Sequence, residues 1–475
     1  IMVGMVLLGL VLGMMVGGIG VRRLERRPYR AVLALTGTLM AVLLATTHEL
    51  ALLLLSLVGV VASFVTGLAL VWLSQWKFRA LFLAVPAMGI LWFALMNLGL
   101  PDPIVRVNDS ERPRPAPTVP NVLWVVLDTT RADHLPLYGH KNQTTPNIDA
   151  LAREGVVFDR AYATAPWTVA SHASMFTGLY SSQHWCNHEH LYLDERNDTI
   201  ARILQDVGFD TAVFAGNPWL DDTSGLARGF SKVIPSWRSF TLYNLSLVGR
   251  LRILLMAGGQ DKGAKASNEA FSAWFPEQQK SGRPFFAFFN YLEAHAPYHD
   301  VPFEDRRRFL PEGVSESEAI SISQRIMERM VLANEYRATP REQDIARALY
   351  DGGIYNADRR LGEILDMLRK AGKLDSTLVI VTADHGELFG EHDIYGHDLN
   401  LYHPVLHVPL VMRLPGTLPA GVRVDKPVQL TDIFPSIMQV IGEGRRLPAE
   451  VRGQSVLPLL TGGGDLERPV FAEYY

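Results

Sequence analysis

Asp128 closes the run NVLWVVLD, Asp384 and His385 sit in VIVTADHG, and His295 closes FFNYLEAH. Each follows an apolar run of strand length, and a parallel sheet presents its functional groups just past the carboxyl ends of such strands. One Asp in that place is an ordinary helix cap. Two carboxylates and an imidazole together are a hard, oxygen-rich donor set, suited to one divalent cation such as Mn²⁺, Ca²⁺, Mg²⁺ or Zn²⁺. A further stretch, ATAPWTVASHASMFTGL at residues 163–179, offers the hydroxyls of Thr168, Ser171 and Ser174 and holds no cysteine. Thr168 falls at the expected start of a helix, where free N–H groups and the dipole favour an anion. A hydroxyl is a poor nucleophile until a metal or base lowers its pKa. Thr168 is therefore a candidate nucleophile and a candidate metal ligand beside Asp128, Asp384 and His385. Its alternative role is a helix N-cap.

Elements of the right kind surround these residues. NVLWVVL (121–127), DTAVFAGN (210–217), PFFAFFNYLEAH (284–295) and STLVIVTADHG (376–386) read as buried strands. TPNIDALAREGVVF (145–158) reads as a helix leading into a strand, and TIARILQDVG (199–208) and ADRRLGEILDMLRKAG (357–372) as amphipathic helices. Strands alternating with helices imply an α/β/α sandwich with a mostly parallel sheet. Residues 301–350 are charged and read as a helical lid or insertion.

The amino-terminal part is different. Residues 1–21, 31–47, 50–76 and 80–100 carry no charge. About 20 apolar residues span a bilayer as a helix, so about four transmembrane helices are expected in a membrane domain at 1–100. Basic loops at Arg22–Arg30 and Lys77–Arg79 place those loops in the cytoplasm and everything after residue 100 on the extracytoplasmic side, periplasmic or extracellular. The chain starts with Ile, so a further amino-terminal piece is expected. The proline-rich segment 101–120 reads as a tether, and 121–475 as the catalytic domain. The net charge of -4, without a basic stripe or tail, excludes a nucleic-acid partner. The single cysteine, Cys186, excludes an internal disulfide.

NVLWVVLDTTRADHLPLYG, TTPNIDALAREGVVFDRAYATAP, ASMFTGLYSSQH, TADHGELFGEHDIYGH and LHVPLVMRLPG resemble the sulfatase family of the alkaline phosphatase superfamily, in order and spacing, over about residues 120–475. The family's small carboxy-terminal sheet domain is expected to be largely absent. One departure bears on the chemistry. Sulfatases convert a Cys or Ser in Cys-x-Pro-Ser-Arg to formylglycine; here Thr168 holds that place, Ala170 replaces the Pro and His172 the Arg. Threonine cannot make formylglycine by that route. The stretch instead resembles the lipoteichoic acid synthase and phosphoethanolamine transferase branches, whose nucleophile is a threonine. The resemblance implies that His295 and His397 are substrate ligands, His397 standing where sulfatases carry a lysine; His172 is a further catalytic candidate. It also puts Thr129 where many sulfatases have a second metal-binding Asp. The expected substrate is a phosphate or sulfate ester, with linkage to lipid or glycan left open. Cleavage or transfer of a phosphoryl-type group, sulfatase action without formylglycine, and a non-catalytic binding role are the three functions compatible with these residues.

Overall fold

The computed structural model describes residues 118–236, 261–332, 336–397, 400–460 and 469–474. The chain divides into two units, 1–100 and 101–475. The four expected membrane spans lie outside the described residues. Among the described residues no helix is long and apolar enough to cross a membrane.

An eight-stranded sheet forms the frame. Its strands are β1 (Asn121–Leu127), β2 (Val156–Phe158), β3 (Asp210–Ala215), β4 (Lys232–Pro235), β5 (Phe285–Tyr291), β6 (Thr377–Thr382), β7 (Leu410–Arg413) and β8 (Val422–Val424). The spatial order is β8-β2-β7-β6-β1-β5-β3-β4. Every pairing is parallel except those of β7, which runs antiparallel to both β2 and β6.

β1 is buried at all seven positions. An unbroken apolar run is what a strand covered on both faces requires. Val122, Trp124 and Val126 join one core with helices α2 (Thr168–Thr177), α3 (Ile200–Asp206) and α8 (Ile433–Val440). Leu123, Val125 and Leu127 join the other with α1 (Pro146–Arg153), α4 (Ala264–Ser281) and α7 (Pro340–Lys370). The expected sandwich of mostly parallel sheet between two helical layers is therefore present.

The charged segment 301–350 departs from the expectation of a single lid or insertion. It supplies α5 (Phe303–Arg307) and α6 (Glu316–Leu332), but residues 340–350 open α7, a core helix of 31 residues. Ile345, Ala346, Leu349 and Tyr350 are wholly buried there, with the charges on the other face. α7 continues through Gly352 and Gly353 because those positions need to be bare. A Cβ on Gly353 would stand 2.5 Å from the Glu293 carbonyl oxygen, and one on Gly352 2.6 Å from Arg306 Cα.

Candidate active site

β6, β1, β5 and β3 are consecutive neighbours in the sheet and all run the same way. Their carboxyl ends therefore deliver Asp384, Asp128, His295 and Asn217 to one edge. Asp128 follows β1 directly and is fully buried. Its Oδ2 accepts from Asn217 Nδ2 at 2.9 Å and from Asn290 Nδ2 at 3.0 Å. Thr129 then turns with φ 60°, a conformation that costs a non-glycine residue about 1 kcal/mol or more. The turn lets the Thr129 amide donate to Asp384 Oδ1 at 3.2 Å, and the His385 amide donates to the same oxygen at 3.0 Å. In DHG the glycine is a packing requirement: a Cβ on Gly386 would meet the Pro404 carbonyl oxygen at 2.0 Å.

Asp128, Asp384 and His385 offer ligand atoms that all lie within 4.8 Å of one another. His385 Nε2 is 3.3 Å from Asp384 Oδ2. Asp128 Oδ1 and Asp384 Oδ2 are buried and make no hydrogen bond. Orphaned buried carboxylate oxygens are costly without a counter-charge. Burial, reinforced by the nearby Asp128 charge, pushes Asp384 well above the usual carboxylate range. Burial opposes the charge on Asp128 too, but His295, His385 and the Asn290 hydrogen bond outweigh it and hold Asp128 low. Two such groups cannot both ionise in a dry site unless a cation joins them. The donor set thus fits the divalent ion expected from the sequence.

Thr168 is the first residue of α2 and is nearly buried. The N-cap is Trp167, so the capping role is not the one Thr168 plays. Its Oγ1 lies 3.4 Å from Asn217 Nδ2, the same amide that holds Asp128. The two serines are committed elsewhere. Ser171 Oγ donates to the Asp384 carbonyl at 2.7 Å and so ties α2 to the DHG loop. Ser174 is 3.0 Å from His184 Nε2, and His184 Nδ1 accepts from the Cys186 amide. That tautomer leaves His184 a donor to Ser174, unable to take its proton.

His172 sits one turn into α2, with Nδ1 2.9 Å from the Thr168 carbonyl and 3.5 Å from Asp384 Oδ2. Burial lowers its pKa, which keeps the ring neutral. His397 Nδ1 is 2.9 Å from Glu387 Oε1 and its ring lies 4.3 Å from that of His385. The His295 ring stands 5.3 Å from His397, and its Nδ1 is 2.6 Å from the Ala296 carbonyl. The structure thus brings Asp128, Thr168, His172, His295, Asp384, His385 and His397 together. It adds Asn217, Asn290, Glu387 and Lys262. Lys262 is buried and donates to the Glu293 and His295 carbonyls. Asn217 ends a strand already recognised as such, and that position was its signal. Lys262 precedes a helix and touches the site only through tertiary contacts, so no local pattern marks it.

A model of the family described as Sulfatase matches residues 120–443. The chain belongs to the sulfatase family. With the family comes the reaction class, hydrolysis of a sulfate or phosphate ester. The chain is 26% identical over 401 residues to the multifunctional alkaline phosphatase superfamily protein PehA of Trinickia caryophylli, covering 72% of this chain and 77% of that one. It is 27% identical over 397 residues to human arylsulfatase K, covering 78% and 72%. Among solved structures, phosphonate monoester hydrolase of Agrobacterium radiobacter superposes with a TM-score of 0.60 at 28% identity, over 74% of this chain and 79% of that one.

Proposed function

We propose that this sulfatase-family enzyme is anchored in a membrane and cleaves or transfers a phosphoryl-type ester group through a covalent intermediate on Thr168. The observation that carries the proposal is the Asn217 amide, which reaches both Thr168 Oγ1 and Asp128 Oδ2. It links the hydroxyl at the start of a buried helix to one carboxylate of the cage. Asp128, Asp384 and His385, joined by Thr168 Oγ1, would hold the cation. When bound, that cation lowers the pKa of the Thr168 hydroxyl and offsets charge on the transferred group.

The protein's own part is as follows. Thr168 Oγ1 gives its proton to Nε2 of His295 or His397 and forms the bond to phosphorus, while the bond from phosphorus to the ester oxygen breaks. The first-turn N–H groups of α2 stabilise the developing negative charge. The His295 or His397 ring that has taken the Thr168 proton, now with N–H on both nitrogens, holds the oxyanion and passes that proton to the leaving oxygen. Glu387 accepts the Nδ1–H of His397 and so leaves Nε2 of that ring for the substrate. A formylglycine hydrate can expel its ester by collapsing to an aldehyde. Thr168 has no second hydroxyl, so its ester is resolved by attack of water or an acceptor alcohol at phosphorus. The likeness to the phosphonate monoester hydrolase of Agrobacterium radiobacter supports a phosphorus ester as substrate. Sulfate-ester hydrolysis is the second reading, and the arylsulfatase K relatives favour it.

Steady-state assay with nitrophenyl phosphate, nitrophenyl phosphodiester and nitrophenyl sulfate tests the proposal. Phosphorus esters are expected to turn over faster. Thr168→Ala should lower kcat by on the order of 10⁴-fold or more, and Thr168→Ser should retain part of it. Sulfate preferred over both phosphorus esters supports the second reading. An active Thr168→Ala enzyme removes the nucleophile.

A further inference from the structure

Away from the cage, two histidines converge on one carboxylate that the chemistry above does not use. Asp351 lies in the middle of α7 with its side chain 3% exposed. His134 Nδ1 approaches Oδ1 at 2.6 Å. His140 Nε2 approaches Oδ2 at 2.9 Å, and Asn142 Nδ2 reaches the same oxygen at 2.8 Å. The short helical turn Pro136–Tyr138 brings His140 back beside His134, with ring centroids 4.9 Å apart. One ligand atom from each of His134, His140 and Asp351 lies within 4.8 Å of the others.

We propose that His134, His140 and Asp351 form a second, structural metal site that takes a zinc-like divalent cation. Two imidazoles and one carboxylate are a borderline-soft set, unlike the oxygen-rich cage, and they suit Zn²⁺ better than Ca²⁺ or Mg²⁺. Zinc bonds of about 2.0–2.2 Å in a tetrahedron put neighbouring ligand atoms about 3.3 Å apart. The present 2.6 and 2.9 Å contacts therefore open by about half an ångström on loading. Without an ion, imidazole and amide N–H groups share the carboxylate. With one, each ring carries its proton on the other nitrogen. Water or the turned amide of Asn142 completes the shell. The His140 side chain, 14% exposed, gives the ion a way in.

The consequence reaches the catalytic loop. Tyr350 precedes Asp351 on α7; its hydroxyl donates to the Thr129 carbonyl at 2.6 Å and accepts from the Arg131 amide at 2.8 Å. An ion on Asp351 would fasten residues 129–142 to α7 at both ends and so hold the turn that follows Asp128.

The experiment counts zinc per chain in the full-length protein after zinc loading and dialysis, with thermal unfolding alongside. An Asp128→Asn/Asp384→Asn background removes the cage and isolates the second site from the function proposed above. That variant should retain one zinc and gain Tm on zinc addition, as selective binding to the folded state requires. Adding His140→Ala should abolish both effects. If the double variant does not fold, His140→Ala alone should lower the wild-type zinc content by one equivalent. Zinc lost entirely with the cage, or unchanged by His140→Ala, would overturn the proposal.

Discussion

At the scale of residues, the site rests on a conflict that a cation resolves. Asp128 and Asp384 are both buried, and the unpartnered oxygen of each has no hydrogen bond to offset its desolvation. Asp384→Asn should therefore lose the metal and the activity together, because a neutral amide is a poor ligand for a hard cation. Metal content measured beside turnover checks this. Full occupancy with normal turnover would remove Asp384 from the cage. Most of the site was legible at this scale. Asp128, Asp384, His385 and His295 each follow an apolar strand, and Thr168 begins a helix. Glu387 was not legible as a partner of His397, since residues ten apart around a loop show no period that pairs them.

At the scale of elements, two contacts hold the strand ends in place. α7 presses Gly353 against the carbonyl of Glu293, two residues before His295. Gly353→Ala should push that loop outward, costing about 1–3 kcal/mol by overpacking and lowering kcat, as thermal unfolding and steady-state kinetics would show. The sequence pattern predicts a helix over 357–372 and a charged, helical lid or insertion over 301–350; the paired glycines between them weaken a helical pattern by about 1 kcal/mol each. Packing overrode that propensity. The second contact is Glu293 itself, whose Oε1 accepts the Ala264 amide at the start of α4 at 3.0 Å. Burial, helped by the Asp261 charge, pushes its carboxyl up to about 8. A raised carboxyl pKa contributes stability below its ordinary value, and that contribution fades as pH rises through about 8. Glu293→Gln keeps the acceptor and cannot ionise. Its Tm should gain on wild type as pH goes from 5 to 8. A difference constant across that window would show that Glu293 stays charged.

At the scale of the whole molecule, the sheet order explains why distant motifs meet. Residues 128, 217, 295 and 384 come from four adjacent parallel strands. Alternating strand and helix patterns made the sandwich legible. The antiparallel β7 was not, since a four-residue strand carries no mark of direction. The uncharged stretches before residue 100 carry the membrane proposal, and the arginines at 22–30 carry its orientation. An alkaline phosphatase reporter fused after Pro120 should be active, because that enzyme matures only outside the cytoplasm. An inactive reporter there, with a cytoplasmic reporter active at the same junction, would reverse the topology.

The central claim is the covalent role of Thr168, and mass spectrometry of enzyme quenched during turnover of a phosphorus ester tests it most directly. The account predicts a phospho-type adduct on the peptide containing Thr168, absent from Thr168→Ala. An unmodified Thr168 under turnover, with Thr168→Ala still active, would contradict it.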